Sequence, residues 1–299
     1  MTKKKERVVI FGGSGFLGSH IADALSGHGY EVAIYDLKRS EYLKSNQQMI
    51  VGDILDEKKV DVVLRGTRYV YNFSGIADID ECSKKPLESV KYNILGHAII
   101  LDKCRLHNVE RILYASSIYV YSRHGSFYKI TKQTCEYLTE EYGEKCGLNY
   151  TILRYGSLYG PRSQMWNGLY RYIYHAIKEG KIDYPGTGEE KRDYIHVFDA
   201  ARLSADILKD EFKNKCVVIT GNTTLSSKDL LSMINEMLDN KIKINFTKNT
   251  MFHHYNITPY SFIPKMGIKI VANPSMDMGE GILRQIEEIY KQIKHNDSF

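Results

Sequence analysis

Ser117, Tyr128 and Lys132 fall within one stretch, "YASSIYVYSRHGSFYKITK" (Tyr114 to Lys132), where a serine closes an apolar run and a Tyr-x-x-x-Lys pattern follows. A free tyrosine has a pKa near ~10 and is a poor base at neutral pH. A lysine one helical turn on projects from the same face, and its charge favours the phenolate. A cationic cofactor ring would act in the same direction. Tyr128 could then take a proton from a substrate hydroxyl while the attached carbon gives up a hydride. Lys132 could also bond a cofactor's hydroxyls, and Ser117 could hold the reacting oxygen. The plainer alternative is a surface Tyr–Lys pair beside a strand-end serine. Two further matches, Tyr174/Lys178 and Tyr290/Lys294, lie on amphipathic stretches far from any glycine loop and read as packing or surface residues.

A second constellation is "IFGGSGFLGSH", in which Gly12, Gly15 and Gly18 stand between an apolar run and a helical pattern that begins with Phe16 and Leu17. Glycine permits a tight turn and close backbone approach to a pyrophosphate, and the helix N-terminus offers its N–H groups to the anion. Asp36 ends the next apolar run, 21 residues after Gly15. A carboxylate there suits the two hydroxyls of an adenosine ribose and repels a 2′-phosphate, which favours NAD over NADP. Lys38 and Arg39 follow and leave that choice open. Asp53 in "VGDILD", with Ile54 beside it, stands where an adenine edge could be read.

These residues need a scaffold. Short β-branched runs ("RVVIF", "EVAIYD", "QMIVGD", "YVYNFSG", "VERILYASS", "NYTILRYGSLYGP") alternate with helical patterns through the first half. Such alternation predicts an α/β fold, a doubly wound parallel sheet whose ligands sit beyond the carboxyl ends of the strands. "SVKYNILGHAIILDKCRLHN" reads as one long helix. The second half is less regular and predicts a smaller C-terminal α+β lobe. The division expected is residues 1–160 for the nucleotide-binding domain, with 190–207 rejoining it, and 161–189 and 208–299 for the substrate-binding lobe.

The 299 residues carry 43% hydrophobic and 26% charged side chains, an ordinary globular balance. A net charge of +5 suits a phosphorylated substrate but is too small and scattered for nucleic acid. The basic run Lys3 to Lys5 reads as a solvated tail. Five cysteines without a C-x-x-C, and a His253–His254 pair without spaced partners, argue against a disulfide framework and against a metal site, and for a reducing compartment. No apolar run approaches the ~20 residues of a membrane span, and the start does not read as a signal peptide. A cytoplasmic location is expected.

Taken together, the glycine loop, "GDILD", "VYNFSG", Asn93, "ASSIYVY", "FYKITK", "LRYGSLYGP" and "GTGEEKRDYIHVFDAA" resemble, nearly end to end, an extended short-chain dehydrogenase/reductase of the NAD-dependent epimerase/dehydratase family. The resemblance implies a Rossmann domain, NAD as cofactor and a nucleotide-diphosphate sugar as substrate. It implies that Ser74 and Tyr155 lie along the cofactor, and that Ser117, Ser157, Asn167 and Arg192 face the substrate, the last two at its diphosphate. For Arg192 an ion pair with Asp193 or Glu190 is the structural alternative. Family dehydratases carry Asp-Glu where this chain has Ile118 and Tyr119, so 4,6-dehydration is not expected. Ser157 replaces a usual asparagine. Only ten residues separate Ser117 from Tyr128, where relatives commonly have a longer loop. A short loop would admit a bulkier sugar, or a small keto acid that reoxidises NADH. The reading that follows is a 4-dehydrogenase acting on a GDP- or UDP-linked sugar for capsule or other surface polysaccharide, similar to GDP-heptose 4-dehydrogenases. A UDP-sugar 4-epimerase is the alternative, and a non-catalytic NAD-binding sensor a second one. By the same resemblance the chain should form at least a homodimer through helices near 87–107 and 129–146.

Overall fold

A computed structural model describes residues 5–247, 254–257, 259 and 268–296. The chain begins with the alternation expected. It runs β1 (Arg7–Phe11), α1 (Phe16–Gly27), β2 (Glu31–Asp36), β3 (Gln47–Val51), α2 (Glu57–Leu64) and β4 (Tyr69–Asn72). Two short helices, α3 (Ile79–Lys84) and α4 (Pro86–Ser89), precede α5 (Gly96–Leu106), β5 (Arg111–Ser117), α6 (Ser126–Cys146) and β6 (Tyr150–Tyr155). There follow β7 (Ser157–Tyr159), α7 (Gly168–Glu179), β8 (Lys181–Pro185), β9 (Lys191–His196) and α8 (Val197–Asp206). Last come β10 (Lys215–Ile219), β11 (Thr224–Ser226), α9 (Ser227–Met237), β12 (Lys243–Thr247), β13 (Ile268–Ile270) and α10 (Met278–Asn296).

Eight strands form one parallel sheet in the order β13-β10-β6-β5-β4-β1-β2-β3. Side chains alternate across a strand, so β1 feeds two cores. Val8 and Ile10 pack with Ile21 and Leu25 of α1 and Ala200 and Leu203 of α8. Val9 and Phe11 pack on the other face with Val60 of α2 and Ile100 and Leu101 of α5. A strand covered on both faces must be apolar throughout, which is why these runs lack a polar side. The order reverses direction between β4 and β2 on either side of β1, and such a switch point opens a crevice at the strands' carboxyl ends.

The smaller lobe has its own core, in which Ile173 of α7, Ile182 of β8, Leu231 of α9 and Ile286 of α10 meet. Two small sheets frame it, β11-β9-β7 and β12-β8. The sequence reading placed 208–299 in this lobe; β10 and β13 instead pair into the large sheet. Nothing in an isolated apolar run says which of two sheets it will join, because the pairing partner lies elsewhere in the chain. A second difference lies in the long helix expected over residues 89–108. Its first half is a π-turn, Val90–Leu95. The wider turn frees the Asn93 carbonyl from the α-helical ladder, and the Cys135 thiol of α6 donates to it at 3.1 Å.

Candidate active site

The glycine loop joins β1 to α1 as its spacing predicts. Gly12 has φ +76°, and a Cβ there would lie 2.6 Å from the Phe73 carbonyl carbon. A Cβ on Gly18 would lie 2.3 Å from the Gly12 oxygen. Any side chain at either position would therefore close the loop or push helix from strand. Helix α1 starts with Gly15 as N-cap, without a side-chain cap and without an acid in its first turn. Its N–H groups and the positive end of its dipole thus face the crevice uncovered, a cradle for a diphosphate. Phe16 is buried and Leu17 packs on the core, so the helix is anchored behind the cradle. Asp36, at the tip of β2, accepts the Ser14 N–H at 3.0 Å and the Lys38 N–H at 3.4 Å. The carboxylate is thereby fixed at the rim of the loop.

Asp53 follows β3. Its carbonyl accepts the Tyr35 hydroxyl at 2.8 Å and its carboxylate accepts the Leu55 N–H at 2.9 Å, which holds the turn; Ile54 is buried against Gly96. Ser74 follows β4, and both its N–H (3.0 Å) and its hydroxyl (2.5 Å) donate to Asn72. Asn72 in turn donates to His97 Nδ1 at 2.8 Å, and His97 Nε2 donates to Thr139 at 2.8 Å. Burial, assisted by the Lys132 charge, lowers the pKa of His97 to about 3, so the ring is neutral and can accept at one nitrogen while donating at the other. Sequence reasoning passed over Asn72 and His97. Their only signal was polarity inside otherwise apolar elements.

Ser117 ends β5, and the helical spacing of Tyr128 and Lys132 on α6 brings both to that strand end. Lys132 donates to the Ala115 carbonyl at 2.7 Å, and its ammonium lies 5.7 Å from the centre of the Tyr128 ring and 5.0 Å from that of Tyr114. Burial raises the Tyr128 pKa to about 12; a hydrogen bond with Ser117 opposes the rise. Burial lowers the Lys132 pKa. The three predicted residues therefore share one desolvated cluster beside the crevice. A hydroxyl bound against Ser117 would find a proton acceptor once a cation near Tyr128 favours its phenolate.

Beneath this cluster Arg154 (0% exposed) and Glu136 (2% exposed) form a paired fork, Nη2 to Oε2 at 2.6 Å and Nε to Oε1 at 2.9 Å. The Ser116 hydroxyl donates to the same carboxylate. The pair ties β6 and the strand end of β5 to α6, and so fixes Ser117 relative to Tyr128. Asn93 does the same from the π-turn: its amide clamps the Ile76 backbone at both groups and donates to Thr131 on α6 at 3.0 Å.

The remaining predicted positions separate. Tyr155 sits opposite Ser117 in the sheet register, is 4% exposed, and its hydroxyl pairs with Ser204 at 2.6 Å inside the core; Phe73 lies beside it. Ser157, half-buried, pairs with Tyr194 in the small sheet. Asn167 caps α7 through the Tyr170 N–H and donates to the Leu158 carbonyl, which commits both ends of its amide to the backbone. Arg192 is nearly buried. Its guanidinium lies 4.3 Å above the Tyr255 ring and donates to the Lys191 carbonyl. Neither ion pair considered for it forms: Glu190 is taken by the Thr187 and Gly188 N–H groups and the Tyr184 hydroxyl, while Asp193 accepts from Thr224. Ile118 is buried and Tyr119 stands edge-on to Tyr128 at 6.1 Å. Among the described residues no His, Cys, Asp and Glu group is arranged to hold a metal ion, the five cysteines are free thiols, and no helix is long and apolar enough to cross a membrane. His253, like Lys3 and Lys4, lies outside the described residues.

Residues 8–219 match the NAD dependent epimerase/dehydratase family. A UDP-N-acetyl-alpha-D-glucosaminuronate decarboxylase of Bacillus cytotoxicus is 26% identical, over 80% of this chain and 83% of its own length. A UDP-glucose 4-epimerase of Rhizobium meliloti is 25% identical, over 82% of this chain and 86% of its own. Among solved structures, the UDP-glucose 4-epimerase of Thermotoga maritima superposes with a TM-score of 0.85 at 22% identity, covering 96% of this chain and 99% of that one. With the family profile spanning most of the chain and the glycine cradle, Asp36 and the Ser117–Tyr128–Lys132 cluster all present, the protein is an NAD-dependent enzyme belonging to the epimerase/dehydratase family.

Proposed function

We propose that the protein oxidises the C4 hydroxyl of a UDP-linked sugar and then reduces the ketone from the other face, as a 4-epimerase. The observation that carries this reading is the single desolvated cluster of Ser117, Tyr128 and Lys132 at the end of β5. NAD, when bound, accepts the hydride. Ser117 holds the C4 oxygen, and Tyr128 takes the hydroxyl proton as the C4–H electron pair leaves and the C4=O bond forms. Tyr128 returns the proton to the oxygen on reduction. Arg192 holds the diphosphate, and its charge, without a carboxylate partner among the described residues, suits that role. The similarity to a UDP-glucose 4-epimerase supports epimerisation over the GDP-linked 4-dehydrogenase expected from sequence, and the similarity to a decarboxylase of another UDP-sugar supports a UDP-linked substrate.

Release of the 4-keto sugar is the second reading, favoured by the short Ser117–Tyr128 connection. It is one 3-10 turn, Ile118–Tyr121, and a short bend from Ser122 to Gly125 that enters α6. In that case a keto acid would reoxidise the cofactor, and the substrate would be a GDP-heptose-like sugar for capsule assembly. The buried Ile118 and the absence of an acid at 118 and 119 disfavour dehydration in either case.

The deciding experiment incubates the enzyme with NAD and a panel of UDP- and GDP-sugars, follows absorbance of reduced nicotinamide, and identifies products by NMR. C4 inversion without accumulated NADH supports the epimerase. A released 4-keto sugar with NADH supports the dehydrogenase. Neither, with every sugar, defeats both and leaves the sensor reading. We further propose a homodimer, through a face carrying exposed Val90, Leu95, Ile130 and Tyr137, and a cytoplasmic location consistent with five free thiols.

A further inference from the structure

Arg192 poses a problem that the reaction alone does not solve. It is 8% exposed, and among the described residues it has no carboxylate partner. A buried guanidinium without a counter-charge is costly unless something else holds and partly offsets it. What holds it is an aromatic face. The Tyr255 ring, 3% exposed, carries the guanidinium carbon at 4.3 Å from its centre. A ring attracts the cation through its quadrupole and fixes its plane, yet takes up none of the N–H donors an anion needs.

The position of Tyr255 is set from two sides. The Lys191 N–H donates to the Asn256 carbonyl at 2.7 Å, which docks this piece of the C-terminal lobe onto β9 next to Arg192. The Tyr255 ring also packs on Tyr119 at 4.5 Å, and the Tyr119 hydroxyl pairs with His254 Nδ1 at 2.7 Å. Tyr119 in turn stands edge-on to Tyr128 at 6.1 Å. Arg192, Tyr255, Tyr119 and Tyr128 thus form one continuous wall from the small lobe to the catalytic phenol.

We propose that Tyr255 is a positioning residue, which orients Arg192 to receive the diphosphate of the nucleotide-linked substrate. The proposal rests on the reading of Arg192 as the diphosphate ligand. The test titrates UDP and GDP into the NAD-loaded full-length protein by calorimetry. Tyr255→Leu should weaken binding of the preferred nucleotide about tenfold, with NAD affinity within twofold. Tyr255→Phe, which keeps the ring, should restore it. A ring that served only folding would weaken NAD and nucleotide together, which would count against the proposal. Arg192→Lys supplies a second arm should Tyr255→Leu fold poorly: it keeps the charge, loses the planar contact, and should show a similar loss. Full nucleotide affinity in Tyr255→Leu, with a large loss in Arg192→Ala, would overturn the role of Tyr255 and leave that of Arg192 standing. Full affinity in Arg192→Ala, or failure of the parent to bind either nucleotide, would overturn the diphosphate reading and this proposal with it.

Discussion

The Lys132 ammonium donates to the Ala115 carbonyl at 2.7 Å and stands 5.7 Å from the centre of the Tyr128 ring. One side chain therefore pins α6 to the end of β5 and places a cation beside the phenol. Burial resists that charge and lowers the lysine's pKa, while the same burial raises Tyr128 to about 12. Removing the cation leaves the Ser117 hydrogen bond to oppose the burial effect on Tyr128. Lys132→Met should lower kcat by about 100-fold or more and move the rising limb of the pH–rate profile to higher pH. Tyr128→Phe should lower kcat by about 1,000-fold while NAD still binds. An unmoved limb in Lys132→Met would refute the assigned role.

Asp36 accepts the Ser14 N–H, so the carboxylate is locked at the rim of the glycine loop. Fixed negative charge there disfavours a 2′-phosphate, and Lys38 lies two residues on. Asp36→Ala should therefore shift the NADP-to-NAD ratio of kcat/KM upward by about 100-fold. A ratio that stays put would mean the ribose is recognised elsewhere.

Among the described residues, His20, His97 and His196 are buried and neutral. Burial is the leading cause in each, lowering His20 and His196 to about 4 and His97 to about 3. Their folded pKa values lie below the ordinary value of about 6.5, so below pH 6.5 the unfolded chain binds protons that the folded chain refuses. Stability should be flat with respect to these groups above pH 7. It should fall as pH drops from about 6.5 toward 4, by up to about 1.4 kcal/mol per pH unit for each histidine. Urea unfolding at pH 7, 6 and 5 measures the slope, and His97→Asn should reduce it. A slope of the opposite sign in that window would exclude this linkage.

The Arg154–Glu136 pair is fully buried and shares Ser116 and Tyr121 as further partners. Glu136→Leu strands a guanidinium in the core. Breaking a buried pair from one side costs about 3–5 kcal/mol, so the midpoint of chemical unfolding should fall markedly. Replacing both partners, as in Glu136→Leu with Arg154→Met, should recover part of the loss. A single variant as stable as the parent would show that water reaches the site.

Ile130 is 52% exposed on α6, close in sequence to Tyr128. If that face is the contact between two copies, Ile130→Glu should yield monomer in sedimentation or light scattering at micromolar protein. An unchanged assembly would place the contact elsewhere.

Much of this molecule is written locally. The strands of the large sheet are legible because a strand covered on both faces must be apolar at every position, as in Val8 to Phe11. The cradle is legible because Gly12 and Gly18 stand where backbone meets backbone, and no other residue fits. Tyr128 and Lys132 are legible because a helix fixes which residues share a face, so four residues of spacing already states a geometry. What the sequence could not state are relations between distant segments. That β10 joins the large sheet, that Asn72 meets His97, and that Tyr255 covers Arg192 each depend on a partner far away in the chain, and local periodicity carries no such address. The chemistry was thus set by residue type and short spacing, while the desolvation that moves the pKa values of Tyr128, Lys132 and His97 was decided only when the tertiary structure excluded water around them.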